Sequence, residues 1–416
     1  MGRLARFIRH STAPGAGLLR VVLALVMVAS AQSGAAHEQT PAARERLGLE
    51  QTLAAHPDQI DAMQALAAAL LAQVRVAPRA ADLARAETLI ERLLAVHAPR
   101  AEALNAWRLL IAHRFDEALG AARRARADGV DPLLAAVSEA DALTELGRYH
   151  EAEITVQYLL DHHYGIAALA RASHLRMVFG DLPGAIELAT RALADSQAGV
   201  DRAWLQLDLA ELQLMAGAPA TALTLAITAV ADLPAAALAM QARAQHALGN
   251  RPAALALYRV AAVHSLRAET LLEIRRLARA LGEHALATRT EAVLDGMARL
   301  DAAGAGSDRR SFVEFYLERG DVTTAEILAR AEWRQRPDVY GAAQLAWVLY
   351  RADKISEAQP YAAYAVGQRT PDPLLQWRAG VVLAVNGEAR GKALMATALA
   401  HDARLSGSAA SLAARP

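Results

Sequence analysis

The sequence predicts an all-α protein built as a tandem array of helical hairpins, and three observations point to it. After Thr40, apolar residues recur at helical spacing in runs of about 12 to 15 residues, with no strand-like alternation. The breaks between paired runs fall on a periodic series of glycines. Small residues stand at fixed distances on either side of these glycines.

The glycines are Gly147, Gly180, Gly217, Gly249, Gly282, Gly320 and Gly387, spaced by 33, 37, 32, 33, 38 and, across two units, 67 residues. Asp353 fills the missing unit, and His113 extends the series upstream. At this point the first helix of a hairpin ends, and the residue after its last turn takes the left-handed conformation that Gly tolerates best. Five residues later the second helix must approach the first closely, which calls for a small side chain. Those positions read Ala118, Ala152, Ala185, Ala222, Ala254, Ala287, Ala325, Ala358 and Lys392. Eight of nine are Ala, where a chain that is about a quarter Ala would supply two or three by chance. Seven positions before the turn stand Ala106, Ala140, Ser173, Ala210, Ala242, Ala346 and Gly380, with Arg275 and Val313 departing. Twelve positions after it stand Ala125, Ala192, Ala229, Ala261 and Ala365, with Leu159, Leu294, Glu332 and Leu399 departing.

A small residue on each helix, a glycine turn and a period near 34 resemble the tetratricopeptide repeat. The best matches are the segments Leu146-Gly147-Arg148-Tyr149-His150-Glu151-Ala152 and Arg319-Gly320-Asp321-Val322-Thr323-Thr324-Ala325, and Pro234 and Pro337 fall where that family ends its second helix. The resemblance covers residues 58 to 402, with a looser unit from Asp58 through Ala86 to Leu94 and a capping helix over 42–55. It implies a helical-hairpin solenoid coiled into a right-handed superhelix. The expected organisation is an N-terminal array over 42–300, a second array over 309–402, and a Ser/Ala-rich disordered tail over 403–416. Between the arrays, 301–308 reads either as a Gly-rich hinge or as a longer turn in one continuous superhelix.

The N-terminus reads as an address. Arg3, Arg6, Arg9 and Arg20 occur with no acid among them, and an apolar run from Val21 to Ala31 follows. That run is shorter than the roughly 20 residues a bilayer requires. Ala29-Ser30-Ala31 supplies small residues for cleavage, and Gly34-Ala35-Ala36 a second site. A secretory signal peptide over 1–31 is expected, with an uncleaved inner-membrane signal anchor as the alternative.

Composition excludes several functions. Lys+Arg and Asp+Glu are both 44, so the cation excess that phosphate binding needs is missing and no nucleic-acid partner is expected. There is no Cys, hence no disulfide, thiolate metal site or Cys nucleophile. No nucleophile elbow, phosphate-binding loop, zinc-protease motif or dinucleotide fingerprint occurs. His150, His162, His163 and His174 lack metal-ligand spacing. Neither enzymatic activity nor a cofactor or metal is expected.

The resemblance implies that first helices line the inner surface of the superhelix, where a protein or peptide partner would lie. In this register the inner positions are Asp141, His174, Glu211, Arg243, Arg276, Glu314 and Trp347. Arg243, Arg276 and Arg279 are the one basic set able to grip a carboxylate, set against the reading of a solvated helix face. Ten of the 19 aromatics fall between Phe312 and Trp377. Of these, Tyr340, Trp347 and Tyr350 fall on inner positions and are candidate partner anchors, the alternative being core packing. The function expected is a non-catalytic interaction scaffold in the bacterial cell envelope, in the periplasm. An accessory subunit of polysaccharide export or outer-membrane assembly, or a periplasmic ligand- or metal-binding protein, are the alternatives.

Overall fold

A computed structural model describes residues 41–302, 309–402 and 405. The signal segment 1–31, the residues 303–308 of the expected hinge, and all of the tail over 403–416 except Leu405 lie outside the described residues. The described chain is helical, without strands, and its helices pair into hairpins. A capping helix α1 (Pro41–Ala55) precedes hairpin one, α2 (Ile60–Val76) and α3 (Ala80–Ala95). Hairpins two to four are α4 (Ala101–Ile111) with α5 (Phe115–Asp128), α6 (Pro132–Glu145) with α7 (Tyr149–His162), and α8 (Ile166–Val178) with α9 (Leu182–Asp195). Hairpins five to seven are α10 (Val200–Met215) with α11 (Pro219–Thr228), α12 (Pro234–Ala247) with α13 (Arg251–His264), and α14 (Ala268–Ala280) with α15 (His284–Leu300). Hairpins eight to ten are α16 (Arg309–Arg319) with α17 (Val322–Gln335), α18 (Val339–Arg351) with α19 (Ile355–Gly367), and α20 (Pro373–Val385) with α21 (Ala389–His401). This is a tetratricopeptide-type solenoid.

The turn series behaves as its chemistry requires. All nine positions have positive φ, from +57° at His113 and +59° at Asp353 to +86° at Gly180. At Gly147 the closing bonds are those of a helix ending in a left-handed residue: the Gly147 amide donates to Thr144 O at 3.0 Å and the Arg148 amide to Leu143 O at 2.8 Å. Hairpin one lacks this device and turns instead through an extended Ala77. The small-residue columns are the seams of the hairpins. Every Ala of the column five after the turn is at most 4% exposed.

The departures have local explanations. In hairpin ten Lys392 points outward, and Gly391 takes over the close approach: a Cβ on Gly391 would meet Gly380 O at 2.6 Å. In hairpin seven Arg275 is 0% exposed where other units carry a small residue. Its charge is matched by Glu291 at 3.0 Å and Glu318 at 2.5 Å, and its guanidinium lies over the Phe315 ring at 5.6 Å.

First helices pack on the next first helix along the array, as α2 does on α4, α4 on α6, α6 on α8, α10 on α12, α14 on α16 and α18 on α20. Second helices meet one another less closely, through long side chains, as Arg123 of α5 meets Glu151 of α7 at 3.0 Å and the Trp333 ring of α17 meets that of Tyr361 of α19 at 5.4 Å. The chain therefore curves with its first helices inside and its second helices outside.

The curvature brings distant hairpins together. Residues of hairpins eight to ten share one hydrophobic core with residues of hairpins two to five. The turn between hairpins eight and nine lies on the His113 and Gly147 turns. The Val339 amide donates to the Tyr149 hydroxyl at 3.0 Å, Gln335 Nε2 donates to His113 O at 2.6 Å, and Arg336 pairs with Glu145 and covers the Phe115 ring at 5.5 Å. The turn between hairpins nine and ten lies on the Gly180 turn, where Thr370 Oγ1 donates to Val178 O at 2.8 Å. Val339 is 0% and Tyr149 4% exposed, so this junction is a packed one. The ribbon closes on itself, turn edge against turn edge.

Candidate partner-binding surface

The inner face is built from equivalent positions of successive first helices, so a residue in one unit faces its counterpart in the next. The expected column of mixed charge forms pairs along the array. Asp141 accepts from Arg171 at 2.6 Å, and Glu211 accepts from both arms of Arg243, one at 2.7 Å. Glu314 accepts from Arg378 at 2.6 and 2.9 Å, with Gln344 also donating to it at 2.7 Å. The column charges are thus matched within the chain, Glu211 by its counterpart Arg243 in the next hairpin, Asp141 by Arg171 beside the column, and Glu314 by Arg378 two hairpins on. The Glu211 carboxylate, more than any other group, holds the Arg243 pKa above its usual range.

The three arginines of the expected basic set do not converge. Arg243 lies on α12 and is committed to Glu211. Arg276 on α14 binds Glu273 and Glu318, the latter at 2.5 Å, and lies 4.0 Å from Glu314. Arg279 turns to the other side of α14 and binds Glu291 of α15 at 2.6 Å. Each is neutralised within the chain.

The aromatic candidates are also engaged. Tyr340 sits at the junction, its hydroxyl donating to Met177 Sδ at 3.7 Å, and burial raises its pKa well above the usual phenol value. Trp347 is half-buried and stacks on Tyr350 with ring centroids 5.4 Å apart, and Tyr350 is 8% exposed. Phe312, Phe315 and Trp377 are core residues. Trp333 meets Tyr361 and Tyr364 edge-on at 5.4 Å, so most of the C-terminal aromatic run serves packing between hairpins eight and ten.

Two titratable groups of the inner face, His174 and Asp208, are shifted although both keep an exposed surface. Burial lowers the His174 pKa against the pull of Asp141 and Asp338, and burial together with Glu211 raises Asp208 to about 6. His113, in the left-handed turn at the junction, is lowered to about 4 by burial and by Arg336, Arg310, Arg267 and Arg309. No cluster of His, Cys, Asp and Glu able to hold a metal ion occurs among the described residues. Among them, no helix is long and apolar enough to cross a membrane.

Sequence reasoning did not find the junction residues Tyr149, Gln335, Arg336, Val339 and Thr370. Tyr149 lay inside the best repeat match, but nothing local marks its hydroxyl as the acceptor for an amide 190 residues away.

Neither a protein-family model nor a curated protein sequence matches the chain. Among solved structures it is similar to the APC/C hetero-tetramer Cut9–Hcn1, at 13% identity and a TM-score of 0.47. That match covers 78% of this chain, which spans 64% of the other. It is similar to the human IFIT1 dimer with m7Gppp-AAAA, at 12% identity and a TM-score of 0.46, covering 76% and 84% of the two chains. It is also similar to a tetratricopeptide repeat protein from Parabacteroides merdae, at 18% identity and a TM-score of 0.33, covering 57% and 93%. The class of the protein rests on its own hairpins, left-handed turns and small-residue seams: a tetratricopeptide-type helical-repeat protein.

Proposed function

We propose that the chain is a non-catalytic scaffold that binds a protein partner and is exported to the bacterial cell envelope. The observation that carries the reading is that the described chain from Ile60 to His401 is spent on ten hairpins. Stacked hairpins bury one face against each other and turn the rest into extended surface, which suits recognition of another chain. Export is supported by the basic start, the short apolar run to Ala31 and the small residues that follow. The six expected contact residues have partners within the chain, so they contribute to binding only where a partner displaces those pairs.

The test is purification of the tagged full chain from crosslinked envelope fractions of its own cells, with the mass of its N-terminus measured. The reading expects a chain cut after Ala31 or Ala36, released by osmotic shock, with a stoichiometric protein partner. An uncut chain that stays in the cytosol without a partner contradicts it.

A further inference from the structure

The outward face of the array is not uniform. On the second helices, positions 7, 10, 11 and 14 residues after the turn lie within one outward sector. In hairpins two to four this sector carries mostly charge and polar groups, among them Arg123, Arg124, Gln157, Glu187 and Arg191, with Ile154 its one large exposed aliphatic. Arg123 and Arg124 are neutralised there by Glu139, Glu151 and Glu102. In hairpin eight the exposed Ile327 stands alone, and Arg330 is likewise neutralised, by Glu326 and Glu357. In hairpins five to seven the same sector turns aliphatic. Ile227 on α11 is 56% exposed, Val260 and Val263 on α13 are 47% and 57%, and Val293 on α15 is 41%. Single exposed aliphatics are ordinary, but a row running across three consecutive second helices is not.

The charge beside the row is one-sided. Residues 219–267 contain a single acid, Asp232, against Arg243, Arg251, Arg259 and Arg267. Arg259 adjoins Val260, and Arg289 stands one turn before Val293 on the same sector of α15. Arg251, Arg259 and Arg289 have no ion-pair partner among the described residues, unlike Arg123, Arg124 and Arg330 on the second helices of other hairpins.

We propose that the outward face of hairpins five to seven, centred on Ile227, Val260, Val263 and Val293 and edged by Arg251, Arg259 and Arg289, docks an amphipathic helix of a protein partner with an acidic edge. The proposal rests on the scaffold reading and gives it a location. The row runs across α11, α13 and α15, so a helix laid over their outward face would meet all three. Unpaired arginines beside the row complement acids spaced three or four residues apart on that helix. A bilayer surface is the poorer occupant. The row holds no Trp or Tyr of the kind that anchors at lipid interfaces, and three separated arginines fall short of the four to eight clustered cations that bind anionic lipid.

The test uses the full chain in its own cells, with p-benzoylphenylalanine at position 260, 154 or 347 in separate strains. Ile154 is a lone exposed aliphatic at the same sector of hairpin three, with polar neighbours and outside the proposed row, and Trp347 lies on the inner face. Irradiation and mass spectrometry identify the crosslinked segment. The proposal expects a protein adduct from position 260, on a segment with apolar residues at helical spacing and flanking acids. The adduct should fall at least tenfold when Arg259→Glu and Arg289→Glu are combined, with the melting temperature of the purified variant unchanged. It should be absent from position 154. Adducts from 347 alone overturn the location and leave the scaffold reading standing, whereas no protein adduct from any position overturns both. Lipid adducts, adducts to a second copy of this chain, or a crosslink indifferent to the double charge reversal each overturn the acidic-helix proposal.

Discussion

Gly180 and Gly249 occupy equivalent turns with nearly equal dihedrals, φ +86° and +83°, but only Gly180 is covered by another hairpin. Alanine at either position suffers the left-handed strain of an L residue, about 1–2 kcal/mol. At Gly249 that is all, because nothing lies within 4 Å of the new Cβ. At Gly180 the Cβ meets Arg369 O at 2.7 Å and Arg369 Cβ at 3.0 Å, against the 3.4 Å at which ordinary contact begins. Backbone on one side must move by several tenths of an ångström, and the bond from Thr370 Oγ1 to Val178 O is the nearest casualty. Thr370 is 1% exposed, so its hydroxyl is left without water, at about 1–3 kcal/mol. Crowding a packed site adds about 1–3 kcal/mol more. The two substitutions should therefore differ by about 2–6 kcal/mol, with Gly180→Ala the more damaging. Urea unfolding followed by far-UV circular dichroism measures the difference. Hydrogen exchange should show the loss in hairpins four, nine and ten. Equal destabilisation of the two variants, within about 0.5 kcal/mol, refutes the reasoning, because the junction would then carry no load.

Further outcomes follow from single side chains. Arg275→Ala empties a buried site, while Glu291 keeps Arg279 and Glu318 keeps Arg276, and should cost about 2–4 kcal/mol, read as a fall in melting temperature; a loss below about 1 kcal/mol contradicts the burial of Arg275. Tyr350→Ala removes a buried ring and should destabilise by about 3 kcal/mol; unchanged melting with lost partner binding would restore Tyr350 as an anchor. The histidine at the junction sets an acid limit. The His113 pKa is depressed in the folded state, so the unfolded chain binds the proton first, and stability falls as pH drops from about 6.5 towards about 4, by up to about 3 kcal/mol. His113→Asn should flatten that part of the pH–stability profile, and an unchanged slope contradicts the burial. Asp208 has the opposite sign: its raised pKa makes stability fall as pH rises from about 3.8 to about 6. Asp208→Asn should stabilise at pH 7 by about 1 kcal/mol, after discounting for its exposure, and do little at pH 4.

The hairpins were legible because their constraints are local and repeat. Left-handed turns select Gly at seven of nine positions, and close helix approach selects Ala, so each unit states the same rule again. The rule also tolerates substitutes, as His113 and Asp353 show, since αL costs a residue little more than the usual turn strain. The closure of the array was not legible. Its contacts run to backbone carbonyls of His113 and Val178 and to one tyrosine hydroxyl, across separations of 190 to 222 residues. A carbonyl acceptor leaves no trace in residue identity. The repeat period places Glu211 and Arg243 at equivalent positions, but how the inner charges pair depends on how far each first helix is turned towards its neighbour, which the period does not set. Hence Arg243, Arg276 and Arg279 read as one basic set in the sequence and occupy three separate ion-pair arrangements in the structure.

The central claim is that hairpins eight to ten dock on hairpins two to four, and the amide of Val339 tests it most directly. Its hydrogen-bond acceptor is the Tyr149 hydroxyl at 3.0 Å, on the far side of the junction. Hydrogen exchange of that amide, compared between the native chain and Tyr149→Phe, should show strong protection that falls at least tenfold in the variant while α12 and α13 keep theirs. Protection of Val339 that is weak in the native chain, or indifferent to the loss of the hydroxyl, contradicts a closed array.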